Sequence, residues 1–261
     1  MKVHAGTLRD YLRAAEEVIG DHSNSPPQLM PLVEQLDRFF HQEIFTCDVG
    51  RRAYDALLIM NAYSMLLSSI RQALSGHVVC VFPIARAALE SACYAFLVSQ
   101  SAENESIWAN RHDSEQAGEA CRKTFTARNA VRALKMISPE MSSFVDQIYS
   151  SFIDFGAHPN PKSIFDHLEQ ADDDNEGLAR YELAGVYGPN SWNVNRALLA
   201  CVEVGHAIVF LIAASSNDHP LMSWRLSNLQ ELFDSKNRML ETLIVEGEIK
   251  GLIFDTATPP N

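Results

Sequence analysis

The sequence lacks the short motifs that mark several common classes of enzyme. It contains no phosphate-binding Walker loop, no dinucleotide-binding Gly-x-Gly-x-x-Gly and no Gly-x-Ser-x-Gly nucleophile elbow. Nucleotide-dependent and serine-hydrolase chemistry therefore have no support, and no cofactor is predicted. The chain has no Cys-x-x-Cys pair; its cysteines are Cys47, Cys80, Cys93, Cys121 and Cys201. Most of them stand in apolar helical context, which indicates free thiols in a reducing compartment.

Positive charge is also scarce. The sequence has 21 Lys and Arg residues and 33 Asp and Glu residues, so the formal net charge is −12. A general binder of the phosphate backbone needs a basic face, and this composition argues against one. A local arginine cluster remains compatible with it.

The sequence has no apolar stretch typical of a signal peptide, and its N-terminal region is charged. The longest apolar run, from Ala197 to Ala214, is interrupted by Glu203, Gly205 and His206. That interruption favours a buried core helix over a membrane span. We expect a soluble cytoplasmic protein with no membrane partner.

Apolar residues recur at helical spacing along most of the chain, which predicts an all-α, single-domain bundle of about eight helices over residues 1–261. Gly20 and Gly76 are expected to end the first and third helices, with the second running to about Thr46. Pro83 either opens or kinks the fourth helix, and the last helix is expected from about Leu221 to Glu248. The predicted starts or caps are Thr7, Asp48, His77, Asn104, Asp113, Ser138 and Ser191.

Residues 163–187 are the exception to the helical pattern. Two short runs, Ile164 to Glu169 and Leu178 to Val186, flank an acidic turn and favour a small β-hairpin, with helix open for either run.

Arg86 and Glu90 stand inside the apolar fourth helix. Four residues apart, they share one helix face. Arg and Glu are seldom buried unless paired, so one interpretation is a structural ion pair. The other makes Arg86 an anion clamp, because its planar fork suits carboxylate or phosphate.

Histidines supply the candidate acid–base groups. His158 follows a predicted helix end, with Asp154 one turn earlier, and it is either a surface cap or a general acid or base that approaches Arg86. Arg71 and His77 form a second candidate pair, with five residues between them. The alternative for this pair is an arginine that complements the helix dipole and a loop histidine.

Two further pairs have the spacing of metal ligands. Glu203 and His206 match the Glu-x-x-His of helical di-iron sites, which need two such motifs and two more Glu. Asp37 and His41 are four apart and are more typical of a surface pair. The sequence therefore predicts no metal site, and a core polar pair at Glu203 and His206.

The segment from Gly76 and His77 through Arg86–Glu90 to His158 resembles a widespread bacterial helical family of unknown function, grouped with HEPN-like proteins. That family has an Arg-x-x-x-Glu helix, then a Tyr- and Ser-containing helix, then His-Pro, which Tyr149, Ser151 and His158-Pro159 match. The resemblance covers about residues 50–165. It implies a helical core, about residues 50–215, with terminal helices packed on it, and a ligand site at Arg86, Tyr149, Ser151 and His158.

HEPN nucleases carry an Arg that is followed, after four to six residues, by a His, and they cleave RNA through its 2′-hydroxyl without a metal. Carried over by resemblance, Arg71 and His77 fit that spacing, although Gln72 replaces the polar residue usual after the Arg. The candidate catalytic residues are thus Arg86, Glu90 and His158, or Arg71 and His77. Two of the functions left open are a ribonuclease or toxin-like defence component, and a non-catalytic module that binds a small anionic ligand or a protein partner, with a homodimer as one form. The third, least favoured, is a metal site around Glu203 and His206.

Overall fold

The computed structural model describes residues 6–152, 164, 167–171, 180–216 and 218–245. These residues form an all-α bundle, as predicted, with ten α-helices and one two-stranded hairpin. The count exceeds eight because the chain after the fourth helix divides into three short helices. The helices are α1 (Leu8–Asn24), α2 (Met30–Phe39), α3 (Ala53–Leu74), α4 (Val78–Gln100), α5 (Ala102–Ala109), α6 (Glu115–Thr124), α7 (Ala127–Leu134), α8 (Pro139–Phe152), α9 (Trp192–Ala214) and α10 (Leu226–Val245).

Hydroxyl side chains start the helices where the sequence predicted them most clearly. Thr7 and Asp10 form a reciprocal capping box at the start of α1. Ser138 accepts a hydrogen bond from the backbone N–H of Met141, and Ser191 accepts one from Val194. Each bond satisfies an amide that has no partner within the helix, so these boundaries are confirmed.

Other predicted boundaries are wrong. Gly20 does not end α1, which continues to Asn24, and Asp48 does not cap α3, which begins at Ala53. Asn104 and Asp113 are not caps either, because the hydroxyls of Ser101, three residues before Asn104, and of Ser114, next to Asp113, take that role. The caps of α5, α6 and α7 are Ser101, Ser114 and Thr126.

The second helix reaches as far as expected, but its last turn differs. α2 continues into a π-helical turn, Phe40–Phe45, next to the predicted end at Thr46. Pro83 lies inside α4 rather than in its first turn. The last helix begins later than Leu221, because a 3₁₀ turn at Pro220–Met222 precedes α10.

The centre of the bundle is α9. Every residue from Ala197 to Ala214 is buried, against α2, α3, α4 and α8. Among the described residues, α4 and α9 are long and apolar enough to cross a membrane, but the burial of α9 inside the bundle is equally typical of a core helix.

The region predicted as a hairpin contains two antiparallel strands, β1 (Leu168–Ala171) and β2 (Arg180–Leu183). Leu168 pairs with Leu183 and Ala171 with Arg180. The segment after β2 returns to the bundle, where the N–H of Tyr187 donates to the carbonyl of Gly76.

Gly76 joins α3 to α4 with a φ of +76°, a conformation that favours glycine. A Cβ atom there would lie 2.5 Å from the carbonyl oxygen of Tyr187. The predicted role of Gly76 as the end of the third helix is confirmed, and the tight joint fixes the positions of Arg71 and His77, which flank it.

Candidate functional site

Arg71 and His77 lie on either side of the α3–α4 joint. Arg71 is in the last turn of α3 with an exposed side chain, and His77 caps the start of α4. The positive charge of Arg71 is near enough to His77 to act on its titration. The structure therefore places the two residues at the same joint, within electrostatic range of each other.

Ser75 holds one side of the His77 ring. Its hydroxyl oxygen lies 3.0 Å from the carbonyl oxygen of Gln72 and 2.8 Å from His77 Nδ1, and it has a single proton to donate to one of them. When that proton is directed to Gln72, Nδ1 donates to Ser75, and Nε2 is the ring nitrogen with the free lone pair.

The environment also favours the neutral form of His77. Burial, and then the charge of Arg71, lower the pKa of the ring below its ordinary value of 6.5. Nε2 is itself buried and has no hydrogen-bond partner. The result is an imidazole with its basic nitrogen unprotonated near neutral pH, which is the state a general base requires.

Arg86 and Glu90 form the ion pair that their spacing predicted. Arg86 Nε lies 3.1 Å from Glu90 Oε1, and the side chains are 18% and 32% exposed. Tyr149 completes the cluster: its hydroxyl accepts from Arg86 at 2.7 Å and donates to Glu90 at 2.9 Å. The guanidinium also lies 4.7 Å from the centre of the Tyr149 ring.

This cluster holds its protons tightly. Burial opposes the charge on Arg86, but Tyr149 and Glu90 outweigh it and raise the pKa of the guanidinium. Burial and then Glu90 raise the pKa of Tyr149, and the same two causes raise the pKa of Cys93 to about 12. These groups therefore favour a structural tie between α4 and α8 over proton transfer.

The other two residues of the predicted ligand site are not seen to join this cluster. Ser151 lies two residues after Tyr149 on α8, so it faces another side of the helix. His158 and Asp154 lie outside the described residues. The approach of His158 to Arg86 stays a prediction.

Two buried ion pairs were not predicted. Arg51 lies 3.4 Å from Asp55 and donates to Ser215 at the end of α9. Lys236 of α10 lies 3.0 Å from Glu203. Only the first pair has a signal in the sequence, the four-residue spacing of Arg51 and Asp55.

The Glu-x-x-His pair does not form the predicted polar pair. Glu203 bonds to Lys236, while the His206 ring packs against Phe233, with ring centres 4.6 Å apart. Burial, and then Lys236, lower the pKa of His206 to about 3. Within the described residues there is no group of three His, Cys, Asp or Glu side chains placed to hold a metal.

Asp37 and His41 are an exposed pair, 3.9 Å apart, as the sequence indicated. Tyr63 lies between them: its hydroxyl donates to Asp37 at 2.5 Å and contacts the His41 ring at 3.1 Å. Tyr63 therefore joins the pair to α3.

Comparison with known proteins adds no assignment: no family model, no curated protein and no solved structure matches the chain.

Proposed function

We propose that the protein is a metal-independent ribonuclease in which His77 is the general base and Arg71 binds the phosphate. The observation that carries the proposal is His77 Nε2, which has no hydrogen-bond partner on a ring that Ser75 contacts through Nδ1, near an exposed arginine. An Arg and a His with this spacing also match the HEPN resemblance.

The chemistry follows from these two side chains. His77 Nε2 takes the proton of a ribose 2′-hydroxyl, and the oxygen attacks the adjacent phosphorus. A 2′-oxygen–phosphorus bond forms, and the bond from phosphorus to the 5′-oxygen of the next nucleotide breaks. The His77 imidazolium returns its proton to that leaving oxygen. Arg71 offers a planar fork to the charge that develops on the phosphate.

Arg86 is the weaker candidate for the phosphate-binding role. Its Nε and a terminal nitrogen already bond to Glu90 and Tyr149, so the carboxylate of Glu90 already offsets part of the charge that would attract an anion. Arg71 is exposed and has no such bond in the described part of the chain. The acidic chain also favours a small local contact with RNA over a broad one.

The test is cleavage of single-stranded RNA in EDTA. The His77→Ala variant should lose about 10²- to 10⁴-fold in rate, the usual contribution of a general base. Arg71→Ala should also lose activity, whereas Arg86→Ala and the exposed-histidine control His112→Ala should keep it. Because the pKa of His77 is lowered, the rate should reach its plateau at a lower pH than an ordinary histidine base would allow.

Two results would contradict the proposal. Absence of cleavage both in the wild type and in a Tyr11→Ala variant, which lacks the ring that packs on His77, removes the enzyme. Loss of activity in His158→Ala but not in His77→Ala moves the site to the other histidine.

A second candidate function, a non-catalytic module that pairs with another copy of itself, is supported by the outer face of α3. Residues spaced three and four apart on this face are exposed and uncharged until the last turn: Leu57, Met60, Ser64, Leu67 and then Arg71. Because the chain carries a net charge of −12, a face without carboxylates is where two copies can meet with least repulsion. The spacing is that of a helix–helix seam.

The expected result for this candidate is a dimer of twice 29.1 kDa in sedimentation. Leu57→Glu and Met60→Glu should dissociate it, because each places a charge in the apolar contact. Met136→Glu is the control, since Met136 is also an exposed apolar residue but lies outside α3. A wild-type monomer, or a dimer unaffected by both substitutions, would rule out this interface.

A further inference from the structure

An aromatic ring lies over the proposed base. The Tyr11 ring of α1 packs on the His77 ring, with centres 4.7 Å apart and planes inclined by 41°. The Tyr11 ring also lies close to Gly185, where an added Cβ atom would be 3.6 Å from Tyr11 Cε2. His77 Nε2 is buried in this arrangement, so a ribose hydroxyl has no access to it.

The part of α1 that carries Tyr11 is loosely held. From residue 6 to residue 13 the side chains are exposed or half-buried, and the first buried residue of the helix is Ala15. The far end is anchored instead: His22 Nδ1 lies 2.9 Å from the carbonyl oxygen of Leu74, and its Nε2 accepts from the N–H of Asn190. The start of α1 can therefore leave the bundle while its end stays attached.

The closed position also carries a cost. His77 Nε2 is an acceptor that is buried without a hydrogen bond, and such an atom gains a partner when water or substrate reaches it. That gain offsets part of the loss of the ring contact, so the closed and open positions are closer in free energy than the packing alone indicates.

We infer that the first two turns of α1 form an autoinhibitory cover, in which the Tyr11 ring blocks His77 Nε2 until these turns move away. The regulatory role of this cover rests on the proposed ribonuclease function, whereas the position of the Tyr11 ring over His77 does not depend on it. The capping box at Thr7 and Asp10 keeps these turns helical, so they move as a unit.

The test measures access to His77 separately from catalysis. Diethyl pyrocarbonate acylates the unprotonated nitrogen of a neutral histidine, and mass spectrometry reports each site. The exposed His112 is the internal reference. In the Tyr11→Ala variant, acylation of His77 relative to His112 should rise by about 2- to 10-fold, the effect of losing one aromatic pair on an opening equilibrium.

Two control variants separate the ring from the rest of α1. Tyr11→Phe keeps the ring and should react like the wild type. Leu12→Ala removes a neighbouring exposed side chain and should also leave the His77 rate unchanged. Equal His77 acylation in the wild type and in Tyr11→Ala would overturn the cover.

RNA cleavage by the same variants tells the two proposals apart. If Tyr11→Ala raises both acylation and cleavage, the cover regulates the enzyme. If acylation rises but no variant cleaves RNA, the cover stands as a structural device and the ribonuclease proposal fails.

Discussion

Replacing Arg51 with alanine is expected to lower the free energy of unfolding by about 3–5 kcal/mol, the usual loss when one partner of a buried ion pair is removed. Asp55 is 2% exposed and Arg51 14% exposed, so water cannot replace the missing cation. The variant also loses the hydrogen bond from Arg51 to Ser215, which ties the start of α3 to the end of α9. Chemical denaturation measures the loss.

The effect should depend on pH. Burial raises the pKa of Asp55 above its ordinary value of 3.8, although Arg51 opposes that rise. A carboxyl with a raised native pKa contributes most to stability below its unfolded pKa, and this contribution is lost as the pH rises through the native pKa. Without Arg51 the pKa of Asp55 in the folded protein rises further. The difference in the free energy of unfolding between the variant and the wild type should therefore shrink in acid.

The adjacent arginine is a matched control. Arg52 pairs with Glu105 at 2.7 Å, but both side chains are partly exposed, so Arg52→Ala should cost about 1 kcal/mol or less. If Arg52→Ala were as destabilising as Arg51→Ala, burial of the Arg51–Asp55 pair would not explain the result. A deficit of Arg51→Ala that stayed constant with pH would also contradict it.

The second large effect is expected at Lys236. Changing it to methionine leaves Glu203, which is 9% exposed, without a cation inside the bundle, at a cost of about 3–5 kcal/mol. One oxygen of Glu203 already has no hydrogen-bond partner. Burial raises the pKa of Glu203 and Lys236 limits the rise, so the variant should recover stability in acid, where the carboxyl is protonated.

A double variant shows whether the loss comes from the unpaired charge. Glu203→Leu together with Lys236→Met removes both charges, and it should regain wild-type stability or exceed it by about 1–4 kcal/mol. Thermal and urea unfolding of the wild type, the single variants and the double variant give the coupling energy directly. A double variant no more stable than Lys236→Met would show that the unpaired charge of Glu203 is not the cause of the loss.

The fold could be predicted where local physics decides it. The helix from Trp192 to Ala214 was predicted at both ends, because Ser191 supplies a cap and an apolar run follows. The start of α3 was not, because Asp48 has the right chemistry for a cap but the chain stays non-helical until Arg52. Several nearby residues can compete for one cap, and tertiary contacts select among them.

In the candidate sites, too, contacts between residues close in sequence could be predicted, and contacts between distant residues could not. Arg86 and Glu90 are one helical turn apart, so their pairing follows from the sequence alone. Lys236 is 33 residues from Glu203, and nothing in the spacing indicates their contact. Ser75 was overlooked, although a serine two residues before a histidine at a helix end is a signal for a side chain that orients the ring.

The burial of α9 has a consequence for the order of synthesis. A ribosome delivers α1 to α8 and the hairpin before α9, so the parts of α3 and α4 that pack on α9 stay uncovered until it emerges. Until Ala214 has emerged, the nascent chain exposes surfaces that bind chaperones or other unfinished chains. A truncated chain that ends before Trp192 lacks the central helix of the bundle, so we expect it not to fold.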